Sequence, residues 1–284
     1  MTGHAVFSPS TYLERCDVIL GLGGGNLTIE MWVQLSDAAA LTATLFSYFA
    51  SDHLDYWLSF SSGRLWHYAS TPHDGDRDIH SGHFILSDGG WHHVAFTAEA
   101  SGDSCTYSFF KDGVIVGSPE TSPDHCLTFP DRGCALLGQY RHGAECRQES
   151  YGFFDAYEFQ GNLTEVRLWR TARTEAEIRK GLSRRINASE AAREPGLVAL
   201  WPLDCTYELD DIKGLQHLGS CDSAFPDKDR YSLAHIVDME CPCPDESYCV
   251  RCTDVQGQDT PANITSATAQ LQIIFRSYPF LAAR

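Results

Sequence analysis

Between Asp88 and Gly117 apolar and polar residues alternate in two runs that turn residues separate. Asp88-Gly-Gly leads into Trp91-His-His-Val-Ala-Phe-Thr97; Glu99-Ala-Ser-Gly-Asp103 interrupts, and Thr106-Tyr-Ser-Phe-Phe110 resumes the alternation before Lys-Asp-Gly113. A side-chain period of two predicts two antiparallel strands joined as a hairpin. Val94 and Phe96 then share one face, His93 and Ala95 the other, and Tyr107 pairs with Phe109 on the second strand. Asp112-Gly113 supplies the positive φ of a tight turn into Val114-Ile-Val116. One face of the hairpin is apolar and the other mixed.

The same pattern predicts further short strands. Residues 4 to 35 read as two strands around Gly21-Leu-Gly-Gly-Gly25, and Thr44 to Tyr48, Tyr56 to Phe60 and Arg64 to Tyr68 read as three more. Ser70 to His83, which holds His73, Asp74, Asp76, Asp78, His80 and His83, reads as a solvated polar loop. Thr174 to Leu182 is the one clear helix: Thr174 and Glu177 form a capping box, and Arg179 and Lys180 suit the negative C-terminal end. A second short helix is expected near Ala188 to Arg193, followed by a closing strand, Leu197 to Leu203. Many short strands between turn signals predict an all-β antiparallel sandwich with one short helix.

Five of these segments resemble, in order, the laminin G-like and pentraxin-like domains, a branch of the concanavalin A-like lectin/glucanase superfamily. Leu27-Thr-Ile-Glu-Met-Trp-Val33 resembles the early F-T-I-E-x-W-V strand, and Trp91-His-His-Val-Ala95 with Asp112-Gly113 resembles the W-H-H-V-A … D-G signature. Gly161-Asn-Leu-Thr-Glu-Val-Arg-Leu-Trp169 is similar to G-x-x-x-E-V-R-x-W, Thr174 to Ile178 to the S-x-E-E-I helix, and Leu197 to Asp204 to the closing strand. The resemblance spans about residues 4 to 204 and implies an antiparallel jelly-roll β-sandwich domain over 1–204. The remainder, 205–284, is then a cysteine-rich extension packed on the sandwich or a small second module.

Charge and cysteine content narrow the function classes. With 38 acidic against 21 basic residues the net charge is −17, which excludes nucleic-acid binding through bulk electrostatics. No apolar run reaches the length of a membrane span. Eleven cysteines fit an oxidising compartment. The disulfide candidates are Cys105, Cys126, Cys134, Cys146, Cys205, Cys221, Cys241, Cys243, Cys249 and Cys252; Cys105 with Cys126 and Cys134 with Cys146 are short spacings, though four cysteines allow three pairings. The tail spacing C-x-C-x5-C-x2-C holds a single C-x2-C pair and favours disulfides over a zinc knuckle. Glycosylation candidates are the sequon residues Asn26, Asn162, Asn187 and Asn263. Together these place the chain outside the cell or in the secretory lumen, as a mature piece of a longer precursor, since no signal peptide is visible.

For candidate chemistry, Leu136-Leu-Gly-Gln139 resembles the pentraxin strand that leads into a calcium loop. Tyr140, Arg141 and His142 stand where that family carries oxygen ligands, and they cannot supply them to a hard cation. The resemblance leaves one reduced site, a single Ca²⁺ held by Asp55, Asp155 and Glu158, against the alternative of exposed acids on loops. Phe153, Phe154, Tyr157 and Phe159 form an aromatic cluster fit for core packing or for stacking on sugar rings. The strand motif E-x-D-x-x-E of the superfamily's retaining glycosidases is missing, as are nucleophile elbows. The expected function is a non-catalytic module, not an enzyme, binding a glycan or protein partner through rim loops. The alternatives are a structural subunit of a homo- or hetero-oligomer and, last, a glycoside hydrolase.

Overall fold

A computed structural model describes residues 4–7, 11–19, 25–35, 42–50, 54–71, 75–122, 132–140, 157–203, 232–233 and 235–237. Met1–Cys241 forms one compact unit and Pro242–Arg284 another, the second lying outside the described residues. In chain order the first strands are β1 (His4–Phe7), β2 (Thr11–Ile19), β3 (Leu27–Leu35), β4 (Thr42–Ala50), β5 (Leu54–Ser61), β6 (Arg64–Thr71), β7 (Gly75–His80), β8 (His92–Ser101) and β9 (Ser104–Lys111). Then come β10 (Val114–Ile115), β11 (Glu120–Ser122), β12 (Arg132–Leu137), β13 (Gly161–Trp169), helices α1 (Glu175–Gly181) and α2 (Ala188–Ala191), β14 (Leu197–Trp201), β15 (Ser232–Leu233) and β16 (His235–Val237).

These strands make two sheets. The first runs β10-β9-β8-β3-β13-β1-β16, with β11 added on β9 and β14 on β13; the second runs β15-β2-β12-β4-β5-β6-β7. All described pairings are antiparallel except that of β15 with β2. The expected all-β sandwich is the observed architecture. Its core lies between the sheets, where Ile29, Met31, Val94 and Phe96 of the first meet Leu45, Tyr56, Leu58 and Leu65 of the second. Phe96 is the hinge of that contact: its ring stacks on His67 of the opposite sheet at 4.2 Å and 7°, and lies 5.2 Å from Phe109.

Two features differ from the sequence reading. Residues 4–35 hold three strands, because the N-terminal segment splits between the two sheets as β1 and β2. The polar segment Ser70 to His83 contains β7, paired in register along β6. It forms because backbone pairing on a sheet edge needs no apolar face, and Ile79 alone among its described side chains is buried. From beyond residue 204, β16 pairs with β1 and β15 with β2.

The mixed face of the central hairpin is buried as well. Ala95 and Phe110 pack on Ile178 of α1, and beside them the motif residues build a dry ionic cluster. Oε1 of Glu30 accepts from Nε1 of Trp169 at 2.9 Å and from Nη1 of Arg173, while Arg167 donates to Glu165 (2.7 Å) and to the carbonyls of Gly181 and Arg184. Two carboxylates against two guanidinium groups balance the charge, which is what allows such groups to be buried. His93 lies in the same cluster, 3.7 Å from Glu30. Burial, with repulsion from Arg167, pushes its imidazole down to about 3.

Candidate functional site

The candidate site is the outer face of the second sheet, at β5, β6 and β7. Period-two alternation sends Tyr56, Leu58, Leu65, Ala69 and Ile79 into the core. Their neighbours must therefore line the opposite face, and the strand register arranges them in rows. Trp57 stands opposite Tyr68 and Tyr68 opposite Asp78; Ser59 opposite Trp66 and Trp66 opposite His80; Ser61 opposite Arg64. This outer face is aromatic where a solvated sheet is ordinarily polar.

The rings are in mutual contact. Trp57 and Tyr68 stack with centroids 3.7 Å apart at 24°, an arrangement that direct cross-strand neighbours reach easily. Trp57 also touches Tyr140 at 4.2 Å, and Tyr140 meets Tyr157 edge-on at 5.8 Å. The array thus runs from the strand face to the rim segments after β12 and before β13. The rim itself is braced: Oγ of Ser47 donates to the carbonyl of Gln139 at 2.9 Å, and the amide N–H of Phe159 donates to the carbonyl of Gly138 at 2.9 Å. Beside the stack, Nε1 of Trp66 donates to the carbonyl of Ser61 at 3.1 Å, and its ring meets His80 edge-on at 4.7 Å. Nη1 of Arg64 lies 3.0 and 3.2 Å from the two ring nitrogens of His80. Chemically, such a face offers apolar ring surfaces, indole and phenol edges, and one guanidinium.

The residues singled out from sequence are distributed differently. Of the aromatic cluster, Tyr157 joins the array but Phe159 is buried against Phe7 at 5.5 Å; Phe153 and Phe154 lie outside the described residues. Tyr140, read as a lost calcium ligand, is buried within the aromatic array, so the pentraxin-type ligand set is not met at that position. Of the single-ion set, Glu158 is buried and Asp55 lies in β5, its side chain outside the described set, as is the whole of Asp155. No cluster of three metal-binding side chains occurs among the described residues. Cys105 and Cys134 are disulfide-bonded; Cys126, Cys146, Cys205, Cys221, Cys241, Cys243, Cys249 and Cys252 lie outside the described residues.

Three sequon asparagines hold structure together. Oδ1 of Asn26 accepts from the amide of Ala100 at 2.9 Å, Nδ2 of Asn162 donates to Gln34 at 2.8 Å, and Asn187 caps α2. Asn263 lies outside the described residues. Sequence reasoning missed Trp57, Tyr68, Trp66 and Arg64, and read His80 as part of a solvated loop. The available signal was their spacing, since Trp57, Trp66 and Tyr68 occupy the alternation positions that the core does not use.

Two other places offer less than this face. A groove of about 390 Å³ near Phe7, Leu35, Gln34 and Asn162 has no charged lining group, and its two amides bond each other and the carbonyl of Gly89. His92 sits between Asp88 and Asp112, both at 2.9 Å, and its bond to Asp88 holds that carboxyl below the usual range. This clamp fastens the hairpin turn: Asp112, at φ +51°, also accepts from the amide of His93.

A laminin G family model, described as the concanavalin A-like lectin/glucanases superfamily, matches residues 9–179. Comparison with curated proteins gave no match. Among solved structures, a protein of Bacteroides ovatus provisionally assigned as carbohydrate binding shares the fold at 15% identity and TM-score 0.55, over 85% of this chain and 61% of its own. The heptameric SAP-like pentraxin of Limulus polyphemus is 17% identical over 70% of this chain and 88% of its own, with TM-score 0.47. Domains LG4-5 of the mouse laminin alpha1 chain are 16% identical over 58% of this chain and 40% of theirs, with TM-score 0.40. The chain therefore spans less than two thirds of the Bacteroides and laminin structures.

Proposed function

Because the chain belongs to the concanavalin A-like lectin/glucanases superfamily, we propose that it is a non-catalytic recognition module that takes a glycan on the outer face of its second sheet. The observation that carries this reading is the contiguous array of Trp57, Tyr68, Tyr140 and Tyr157. Pyranose rings present flat C–H faces that stack on such rings, and the phenol and indole edges supply hydrogen bonds to hydroxyls. The array reaches the rim at Tyr157, which is partly exposed, with the buried Tyr140 between it and Trp57.

Supporting features come from elsewhere in the chain. The disulfide-bonded Cys105 and Cys134 accord with an extracellular or lumenal lectin. No helix among the described residues is long and apolar enough to cross a membrane. The missing E-x-D-x-x-E triplet weighs against glycosidic cleavage. A structural subunit with an obligate interface asks for a broad apolar face, whereas the large hydrophobic side chains exposed among the described residues are Ile85 and Val114.

The test is a titration of the full chain with neutral and acidic oligosaccharides, followed by tryptophan fluorescence and calorimetry. Wild type is expected to bind at least one sugar, and Trp57→Ala to lose that binding while keeping a cooperative melt. EDTA is expected to leave the affinity unchanged, because stacking and hydrogen bonding need no ion. Absence of binding to every sugar, or undiminished binding by the variant, would overturn the reading.

A further inference from the structure

We infer that the glycan held on this face carries a carboxylate, as hexuronic acids do, and that Arg64 is the residue that reads it. The inference rests on the glycan reading above and adds the chemical class of the sugar. Arg64, Trp66 and Tyr68 occupy alternate positions of β6 and so share the outer face, in steps of about 7 Å. A guanidinium therefore sits at one end of the stacking surface, within reach of a substituent on a sugar that lies over Trp66.

The partners of Arg64 distinguish it from the arginines that build the fold. Arg167, Arg173, Arg179 and Arg184 each hold a carboxylate: Glu165, Glu30, Glu175 and Glu194 respectively. Arg64 instead touches the imidazole of His80, and both contacts are made through Nη1. Its Nε and Nη2 edge, the side of the fork that matches a carboxylate in bidentate fashion, makes no hydrogen bond among the described residues. On a strand face, a guanidinium whose contacts among the described residues include no carboxylate is a ready anion receptor.

The ring beside it is held still. Trp66 is tethered through Nε1 to the carbonyl of Ser61 and packed edge-on by His80, so the stacking plane and the fork keep a fixed relation, and little ordering opposes binding. The net charge of −17 decides between anions. With a Debye length of about 8 Å at physiological salt, each further anionic group of a ligand is repelled by the acidic surface next to it, so a densely sulfated chain is disfavoured relative to a sugar that presents one carboxylate to the guanidinium. The ligand is accordingly a uronate and not a sulfated glycan.

The experiment pairs oligomers of galacturonate, glucuronate, mannuronate and guluronate with their carboxyl-reduced neutral forms, and adds a sulfated galactan oligosaccharide. Each is titrated against wild type, Arg64→Gln, Arg64→Lys and Trp57→Ala full chains whose melts are checked. Wild type is expected to bind one acid form about tenfold or more tightly than its reduced form, as a charge-assisted bidentate contact provides. Arg64→Gln is expected to bring the acid form to the level of the reduced form, and Arg64→Lys to keep part of the preference. Equal affinity for both forms in wild type, or a preference that survives Arg64→Gln, overturns the inference while the glycan reading stands. Tighter binding of the sulfated galactan overturns the choice of carboxylate. Failure of every oligomer and its reduced form overturns both readings.

Discussion

A β-carbon at position 138 would lie 2.2 Å from Cδ1 of Phe7, and the backbone there holds φ at +82°. Glycine is required on both counts, since a side chain would clash with a ring and strain the left-handed conformation. Gly138→Ala is therefore expected to destabilise the domain by about 2 kcal/mol or more, read as a lowered urea midpoint at unchanged slope. The same ring, Phe7, packs on Phe159, so the change loosens the rim that carries Tyr140. Residue-level legibility follows from this kind of contact. Trp57 and Trp66 could be placed on the outer face from alternation alone, but the tilted contact of Tyr140 with Trp57 depends on where β12 ends relative to β5, which no local pattern encodes. At Tyr140 the sequence showed what was lost from a calcium loop; only the fold showed that the ring had been used for something else.

The capping box of α1 was legible because both of its halves are local. Oγ1 of Thr174 accepts from the amide of Glu177 at 3.3 Å, and Oε2 of Glu177 accepts from the amide of Thr174 at 2.8 Å. Hydrogen bonding from Thr174 holds the Glu177 carboxyl below its usual range. What the box supports is larger than the helix, since α1 places Ile178 on Ala95 and Phe110, and Gly181 at its C-terminal end offers its carbonyl to Arg167. Thr174→Ala is expected to cost about 1 kcal/mol. Native-state hydrogen exchange should accelerate in residues 175–181 and at the buried face of β8 beneath them, with the second sheet unchanged. β7, β15 and β16 show the opposite case. Their pairings are long-range or carried by backbone alone, and β7 has so few inward apolar positions that a polar strand and a polar loop read alike.

At the scale of the whole molecule, two histidines link the sandwich to pH. His67 lies at the centre of the core and His93 in the ionic cluster under α1; burial pushes both down to about 3, from an ordinary 6.5. Around His93 stand Glu30 from β3, Arg167 from β13, Arg173 ahead of α1, and Asp112 from the hairpin turn, which opposes the shift. A folded pKa below the unfolded one means that the unfolded chain binds more protons in between, so stability is greatest above 6.5 and falls as pH drops toward 3. Each histidine contributes a slope approaching about 1.4 kcal/mol per pH unit, and the pair removes about 4 kcal/mol between pH 7 and pH 5. Asp88 and Glu177, whose pKa values are lowered, act in the same direction but only below the ordinary carboxylate range, outside this window. Against a typical domain stability of about 5–15 kcal/mol, the loss is large enough to read directly. Denaturant midpoints measured from pH 7 to 5 should decline steadily, and His67→Leu should remove about half of the slope whatever it does to stability at pH 7. A flat profile in wild type, or an unaltered slope in the variant, would mean that His67 is hydrated in solution and that the contact of the two sheets through Phe96 is not the closed one the rings form here.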